Sequence, residues 1–296
     1  MKIRKSYLSI ALMALAVQTG MAQEQKRDSL DTGKVYEIGE VVVTGTRNET
    51  DVRHLSQTVS VVNRSEIDQA LQPSLLPVLT EQIPGLFVTS RGVMGYGVSG
   101  GAAGSISLRG LSGGTARLMV MIDGHPQYAG IFGHPIADAY QSFLAERVEV
   151  LRGPASVLYG SNAMGGVINI VTRKMQEDGV KTNLRAGYGS YNTLETELTN
   201  RIRKGRFSSV ISGSYNRTDG HRADMGFEQY GGYAKLGYEM TDNWNLRGDV
   251  NVTHFNASYP GPVDAPLLDG DQRITRGMTS FAVENRYEKT SGAVSF

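Results

Sequence analysis

The feature that most constrains the fold is an alternation of apolar and polar residues with a period of two, which begins at Val180 and recurs to the end of the chain. Successive side chains of a β-strand point to opposite faces, so the pattern predicts strands with one apolar face. After the first run, five further runs are centred near Leu198, Ile211, Leu236, Val250 and Phe281. The start of a seventh strand is predicted from Gly292 to Phe296.

The connections between these predicted strands differ in length. Lys204-Gly205 and Thr241-Asp242-Asn243 are predicted tight turns, whereas Asn216 to Glu228 and Asn256 to Gly277 are long and polar. Strands of about ten residues with short turns at one end and long loops at the other are typical of an outer-membrane β-barrel. An aromatic girdle is predicted at the strand ends, from Tyr188, Tyr215, Tyr238 and Trp244. A soluble β-sandwich also alternates and is the open alternative.

These strands are too few to close around a folded domain. A barrel of about eight strands holds only its own side chains, and one with a plugged lumen needs about 22. An open sheet would leave unpaired backbone groups in lipid. We therefore expect residues 176–296 to be an incomplete barrel, and the chain to be a fragment or a truncated reading frame.

Residues 1–22 are predicted to be a signal peptide. A basic start is followed by a short apolar run from Ser6 to Val17 and by small residues that end at Ala22, where we place cleavage. The apolar run is shorter than the roughly 20 residues that a transmembrane helix needs. Residues 23–50 open with a polar stretch and are predicted to form a flexible segment.

Residues 51–175 are predicted to form a compact α+β domain. The predicted strands are Thr58 to Val62, Ser105 to Arg109, Leu118 to Ile122, Arg147 to Leu151 and Val167 to Thr172. One short helix is predicted with Ser65 as its N-cap, and a second from Ser74 to Gln82. The expected fold is therefore this domain followed by the first strands of an antiparallel transmembrane β-barrel.

Composition and isolated motifs give no sign of catalysis. The chain has no cysteine, which excludes disulfides and thiol chemistry, and its net charge of +1 gives no reason to expect a nucleic-acid partner. The Gly-rich loop matches a dinucleotide fingerprint at 95–100 and a nucleophile elbow at 97–101. Both lack the flanking strand and helix that those sites need. A serine hydrolase acting through Ser99 is thus a remote rival, and no enzyme activity or cofactor is predicted.

Three stretches resemble the plug domain of TonB-dependent outer-membrane receptors. They are "SISLRG" from Ser105, "MIDG" from Met121 and "ERVEVLRGPASVLYGSNAMGGVINIVTRK" from Glu146 to Lys174. The resemblance covers roughly Glu40 to Lys174. It implies an exported chain in the outer membrane, in contact with its lipid.

The resemblance also gives a role to the valine run "EVVVTG". It looks like the family's TonB box, where a TonB-type energy-coupling protein grips the receptor; the residues are Glu40, Val41, Val42, Val43 and Thr44, within 40–45. An extended β-branched segment on a flexible tether suits strand addition to a partner's sheet edge. The alternative is that the valines form the first strand of the plug.

Two arginines match plug residues that, in the family, pair with glutamates of the barrel wall. They are Arg109 and Arg152, each in an "LRG" motif, and the resemblance implies plug–barrel contacts to glutamates beyond Phe296. A guanidinium held by carboxylates suits a wet internal interface. The alternative is two solvated surface arginines.

Ligand contacts are expected from the plug loop Gly124 to Tyr140 and from the long loops. Within that plug loop, His125, Tyr128 and His134 could contact an iron chelate or ligate haem iron; the alternative is ordinary polar loop residues. The expected function is active uptake of an iron chelate, a siderophore or haem, with cobalamin as the runner-up ligand. A passive porin or adhesin is the rival class.

Overall fold

The computed structural model describes residues 41–42, 50–51, 54–88, 94, 106–112, 118–127, 137–267 and 270–296. The predicted signal peptide and the Gly-rich loop from Gly95 to Gly104 lie outside these residues. None of the helices in the described part of the chain is long and apolar enough to span a membrane.

The first part of the chain contains three small sheets. Its strands are β1 (Val41–Val42), β2 (Thr50–Asp51), β3 (Val59–Asn63), β4 (Leu86–Val88), β5 (Ile106–Leu108), β6 (Leu111–Ser112), β7 (Leu118–Ile122), β8 (His125–Pro126), β9 (Ala145–Arg152) and β10 (Gly166–Thr172). The largest sheet has the order β3-β9-β10-β7-β8, and within it only β7 and β10 are parallel. Strands β4, β5 and β6 form a second sheet, and β1 pairs with β2.

Among the described residues, three short α-helices accompany these sheets: α1 (Arg64–Ala70), α2 (Leu75–Gln82) and α3 (Ser156–Tyr159). Helix α2 begins as predicted, since the Ser74 side chain accepts a hydrogen bond from the backbone of Leu76. The predicted N-cap Ser65 is wrong. Asn63 caps α1 instead, because Glu66 three residues into the helix accepts from the Asn63 backbone at 2.7 Å and completes a capping box.

The core of this α+β domain lies between the five-stranded sheet and helix α2. Every third or fourth residue of α2 is apolar, so Leu75, Leu76 and Leu79 all face the sheet and are buried. They pack against the apolar sides of β7, β9 and β10, which are buried along most of their length. The predicted α+β domain is confirmed.

The second part of the chain is one antiparallel sheet of seven strands in sequence order. They are β11 (Gly179–Gly189), β12 (Thr193–Lys204), β13 (Phe207–Thr218), β14 (Phe227–Glu239), β15 (Trp244–Ser258), β16 (Asp271–Arg286) and β17 (Ser291–Ser295). The register places Leu184 opposite Leu198 and Val250 opposite Thr279, so the apolar runs share one face. The predicted sheet of six strands and a seventh is confirmed, and it is neither helical nor a two-sheet sandwich.

The strands extend further than the apolar pattern predicts. Asn216 pairs with Gln229 and Asn256 with Arg273, so the two long connections shrink to residues 219–226 and 259–270. Polar side chains do not end a strand when its backbone still has a partner; the apolar residues therefore mark only the middle of each strand. At the same end of the sheet, β11 and β12 are joined by only three residues, 190–192, where Tyr191 and Asn192 have φ near +60°.

The apolar face of the sheet is open to its surroundings. Leu184 is 76% exposed, and the predicted girdle residues Tyr188, Tyr238 and Trp244 are also exposed. At one end of the strands, the Trp244 indole donates a hydrogen bond to the Tyr287 hydroxyl at 3.0 Å. A continuous apolar face of this kind is stable in lipid and a liability in water.

Candidate functional site: the interface between the α+β domain and the sheet

The polar face of the seven-stranded sheet lies against the α+β domain. Val210 and Tyr233 of this face are buried in the domain's own hydrophobic cluster, but most of the other inward side chains are polar. Four groups of polar contacts join the two parts. Each group connects residues of the α+β domain to side chains of the sheet.

The first group surrounds Asp123. This residue and Gly124 form the two-residue turn between β7 and β8, and both have positive φ, as an Asp-Gly hairpin turn requires. The turn directs the Asp123 carboxylate onto Thr172, whose backbone N–H donates at 2.8 Å and whose hydroxyl donates at 2.6 Å. Lys235 of β14 then donates to Asp123 at 2.6 Å and to the Thr172 hydroxyl oxygen at 2.7 Å.

Two further side chains of the sheet reach this group. The Tyr233 hydroxyl donates to the Thr172 hydroxyl oxygen at 3.2 Å, and Arg247 of β15 donates to the Asp123 carbonyl at 3.3 Å. The Asp123 and Lys235 side chains are only 8% and 15% exposed. Cations from two adjacent strands of the sheet therefore hold Asp123, Lys235 through its carboxylate and Arg247 through its backbone carbonyl.

The surroundings of Asp123 keep it charged. Burial by itself would raise the pKa of the carboxyl, but the charges of Lys235 and Arg247 and the hydrogen bonds from Lys235 and Thr172 outweigh it and lower the pKa from 3.8 to about 2. Asp123 is thus an anion at neutral pH, and its contacts to the sheet are charge-assisted.

The second group is built on Glu197 of β12. Its carboxylate lies 3.5 Å from Arg185 of β11 and 4.0 Å from Arg173, which follows β10. Arg185 also donates to the domain at 3.4 Å, to the Gln72 carbonyl and the Ser142 hydroxyl. Burial, followed by the positive charge of nearby Arg64, lowers the pKa of Arg173 to about 10, so it is still a cation at neutral pH.

The remaining two groups are built on glutamines. Gln141 accepts from Ser214 of β13 at 2.7 Å, and Gln229 of β14 donates to the Asp138 carbonyl at 2.5 Å. Gln127 accepts from Arg276 of β16 at 3.1 Å and donates to the Met278 sulfur at 2.8 Å. Amides, hydroxyls and ions therefore carry the contact from β11 to β16, so this interface is mainly polar.

His125 lies at this interface. It forms part of β8, is buried, and its Nε2 atom has no hydrogen-bond partner among the described residues. Burial, and then the positive charge of Arg247, lowers the pKa of His125 below its ordinary value. The predicted ligand contact of His125 stays a prediction, while Tyr128 and His134 lie outside the described residues.

The two predicted arginines are not among these contacts. Arg109 is exposed, with φ +52, and its backbone N–H donates to the Gly85 carbonyl at 2.7 Å. Arg152 is half-buried at the end of β9. Within the described ranges neither forms an ion pair with the sheet, and the predicted pairing with glutamates beyond Phe296 stays a prediction.

Only part of the predicted TonB box can be placed. Val41 and Val42 form β1, which pairs antiparallel with Thr50 and Asp51. Glu40, Val43 and Thr44 lie outside the described residues. The box therefore also stays a prediction.

The sequence reasoning missed Asp123, Lys235 and Glu197. The signal for Asp123 was its Asp-Gly pair after an apolar run, which indicates a hairpin turn with the carboxylate at its tip. Lys235 and Glu197 occupy the polar positions of alternating strands, between Ala234 and Leu236 and between Thr196 and Leu198. Alternation predicted the face on which they lie, and nothing local predicted their partners.

Comparison with known proteins shows which proteins this architecture resembles. Residues 51–167 match the family model described as the TonB-dependent Receptor Plug Domain. The vitamin B12 transporter BtuB of Vibrio vulnificus (strain YJ016) is 28% identical over 255 residues, which are 83% of this chain and 38% of that protein. The chain thus spans well under half the length of this relative.

Solved structures agree on the fold. FpvA of P. aeruginosa, bound to a pyoverdine–Fe complex, has a TM-score of 0.69 at 17% identity over 86% of this chain and 35% of its own. The alcaligin receptor FauA of Bordetella pertussis has a TM-score of 0.66 at 20% identity, over 86% and 41%. The copper transporter OprC has a TM-score of 0.64 at 16% identity, over 80% and 36%.

These relatives and solved structures share the architecture described above, a small mixed domain seated on the polar face of an antiparallel sheet whose apolar face is turned outward. The chain carries a TonB-dependent receptor plug domain followed by barrel strands, and its homologues are TonB-dependent receptors of the outer membrane.

Proposed function

We propose that the receptor to which this chain belongs takes up an iron chelate, either a siderophore or haem, and that a TonB-type protein drives the uptake by pulling on residues 40–44. Cobalamin is the alternative ligand, because BtuB is named for vitamin B12. OprC is named a copper transporter, so the fold by itself does not select the ligand.

The observation that carries the proposal is the polar nature of the plug–barrel interface. Asp123, Thr172 and Lys235 are joined by short charge-assisted hydrogen bonds, and the glutamine groups add amide contacts. Water can replace each of these contacts as the plug moves, at a small net cost per hydrogen bond. An apolar interface of equal area would lose its whole burial energy on opening.

The same interface explains why force is needed. Separation of Asp123 from Lys235 leaves two formerly buried charges to be solvated, and Arg173 of the plug and Glu197 of β12 add a second such pair. These contacts keep the plug seated in the absence of a pull. Force applied at residues 40–44 is transmitted along the chain to β3, an edge strand of the five-stranded sheet.

The iron-chelate proposal rests on residues that could contact a ligand. His125 brings an imidazole into the interface, and Tyr128 and His134 lie in the adjacent plug loop. Imidazole and phenolate both suit iron. Among the described residues no group of three or more His, Asp or Glu side chains could hold a bare metal ion, so we propose a chelated ligand.

The experiment is a deletion of Glu40 to Thr44 in the full-length receptor. Uptake of a ferric siderophore, haem and cobalamin is measured in a receptor knockout that carries either the intact gene or the deletion. We expect the deletion to abolish uptake of the one ligand that the intact gene restores, with binding at the cell surface retained. A deletion of Asp28 to Asp31, in the polar segment, is the control of similar length.

Unchanged uptake after deletion of Glu40 to Thr44 would remove the active-transport proposal and favour a passive porin. Rescue by cobalamin alone would replace the iron chelate by the alternative ligand. Loss of uptake in the control deletion as well would assign the effect to tether length and not to the valine run.

A further inference from the structure

A cleft of about 640 Å³ opens beside the Glu197 group, where the plug, the connecting segment and the first two barrel strands meet. Its plug wall is the end of β3 and the start of α1, together with Glu146 and Arg147 of β9. Its other walls are residues 174–177, which join plug and barrel, and the inward side chains Lys181 of β11 and Arg201 of β12. Nothing in the proposed transport function uses this cleft.

The cleft is strongly basic for a chain whose net charge is +1. Five basic side chains line it, Arg64, Arg147, Lys174, Lys181 and Arg201, against the two carboxylates Glu146 and Glu177, which is an excess of three positive charges. Like charges at this density repel one another across a half-buried surface. An anion in the cleft would reduce this repulsion.

Carboxylates outside the lining neutralise two of these five cations, and the other three, Lys174, Lys181 and Arg201, form no ion pair among the described residues. Asp68 pairs with Arg64, Glu149 with Arg147, and Glu197 with Arg185 and Arg173. The Nε atoms of Arg64 and Arg201 are buried and have no hydrogen-bond partner among the described residues. Buried guanidinium donors without an acceptor are costly, so both guanidinium groups keep unmet hydrogen-bonding capacity.

The cations also reach the cleft from separate parts of the fold. Arg64 belongs to the plug, Lys174 to the connecting segment, and Lys181 and Arg201 to the barrel wall. The positive charges of Arg64 and Arg201 both lower the pKa of buried Arg173 directly behind the cleft, which shows the repulsion that an anion would relieve. A single anion there would join the three parts.

We propose that this cleft binds a small anion of the phosphate class, which holds the plug, the connecting segment and the barrel wall together. Tetrahedral phosphate offers several acceptors and two negative charges, which suits ammonium and guanidinium donors converging from different directions. Lys181 and Arg201 lie on the polar side of their strands, away from lipid, so the anion is a free one and not a lipid headgroup. The cleft lies at the end of β11 and β12 that carries the short turn 205–206, which in barrels of this kind faces the periplasm.

The test uses the chain purified in a non-ionic detergent, with inorganic phosphate as the probe. Binding of radiolabelled phosphate is measured by equilibrium dialysis at constant ionic strength in chloride. We expect saturable binding of one phosphate per chain. We expect the double variant Lys181→Gln with Arg201→Gln to bind at least about tenfold more weakly, since two charged hydrogen-bonding groups are lost.

The matched control is Lys204→Gln with Arg206→Gln, which removes two cations from the neighbouring turn outside the cleft; its phosphate binding is expected to equal that of the unaltered chain. If the double variant does not fold, as judged by its circular dichroism, Lys174→Gln takes its place, because Lys174 is exposed and its loss leaves the interface intact. Absence of saturable binding, or equal binding by cleft and control variants, overturns the proposal. Uptake is not measured, so this outcome is independent of the transport proposal.

Discussion

Asp123 stays ionised in a buried position because three separate parts of the chain stabilise its charge. Thr172 donates from the adjacent strand of the plug, Lys235 from β14, and Arg247 from β15. A buried ion pair of this kind gains little over an apolar pair of the same shape, but it is costly to break on one side only. The arrangement therefore fixes where the plug sits more than how stable it is.

Asp123→Asn is expected to destabilise the folded chain by about 3 kcal/mol, because Lys235 is left as an uncompensated buried cation. The amide keeps the size of the carboxylate, so the change tests charge and not packing. Thermal unfolding in detergent, followed by circular dichroism, measures the effect. Asp242→Asn is the control, since Asp242 pairs with Arg206 on an exposed turn and its loss is expected to leave the midpoint unchanged. Equal midpoints for Asp123→Asn and the unaltered chain would contradict a buried pair.

The pH dependence of stability should report the same carboxylate. The pKa of Asp123 is lower in the folded chain, about 2, than its ordinary value of 3.8, so its contribution is complete above pH 3.8 and is lost as the pH falls through 2. The shift corresponds to about 2 kcal/mol. Unfolding free energies of the unaltered chain and of Asp123→Asn, measured from pH 5 to pH 2, are expected to converge by about that amount. A difference that stays constant over this range would assign the effect to packing.

At the scale of elements, the plug and the sheet approach most closely where the inner face of β14 has no side chain. Gly231 lies opposite Ser214, and a Cβ atom at Gly231 would overlap the Gln141 side chain of the plug. Its neighbour Gly232 points to the other face, where a Cβ atom would meet nothing within 4 Å. Adjacent glycines thus have different roles, set only by the two-residue period of the strand.

Gly231→Ala is expected to loosen the plug, at a cost of about 1–3 kcal/mol, because the added methyl forces Gln141 and Ser214 apart. Gly232→Ala is the matched control on the same strand and is expected to be neutral or slightly stabilising. Limited trypsin digestion of the folded chain in detergent measures the effect as faster cleavage within the plug. Equal cleavage rates in the two variants would show that the plug does not seat at Gly231.

Periodicity predicted the elements far better than it predicted their contacts. The alternation around Leu184 and Val250 gave the strands and their faces, and apolar spacing gave helix α2, because both patterns are local. The strand ends at Asn216 and Asn256 were missed, since polar residues carry no such pattern. Asp123 and Lys235 are 112 residues apart in sequence, and their pairing depends on how the plug seats on the sheet. Part of the interface was therefore beyond the reach of local reasoning.

At the scale of the whole molecule, the two faces of the seven-stranded sheet have opposite requirements. The inner face satisfies its polar groups through the plug, as Glu197 does with Arg173 and Lys235 with Asp123. The outer face presents exposed leucines, valines and aromatics, which form a surface suited to lipid. The plug and the bilayer are thus complementary partners of one sheet, and each can be disturbed without the other.

Val250→Arg tests the lipid-facing role of the outer face without changing the inner face that contacts the plug. Val250 lies on the outer face near the middle of β15, and a cation there costs about 2–4 kcal/mol in a bilayer. Val263→Arg places the same change in the long loop, where Val263 is 80% exposed, and is expected to cost nothing. The measurement is the fraction of the full-length receptor that inserts into phospholipid vesicles from urea, read from protection against protease. We expect Val250→Arg to insert poorly and Val263→Arg to insert like the unaltered chain. Equal insertion of both would mean that the face carrying Val250 is not the lipid-facing side, and the assignment of inner and outer faces would have to be reversed.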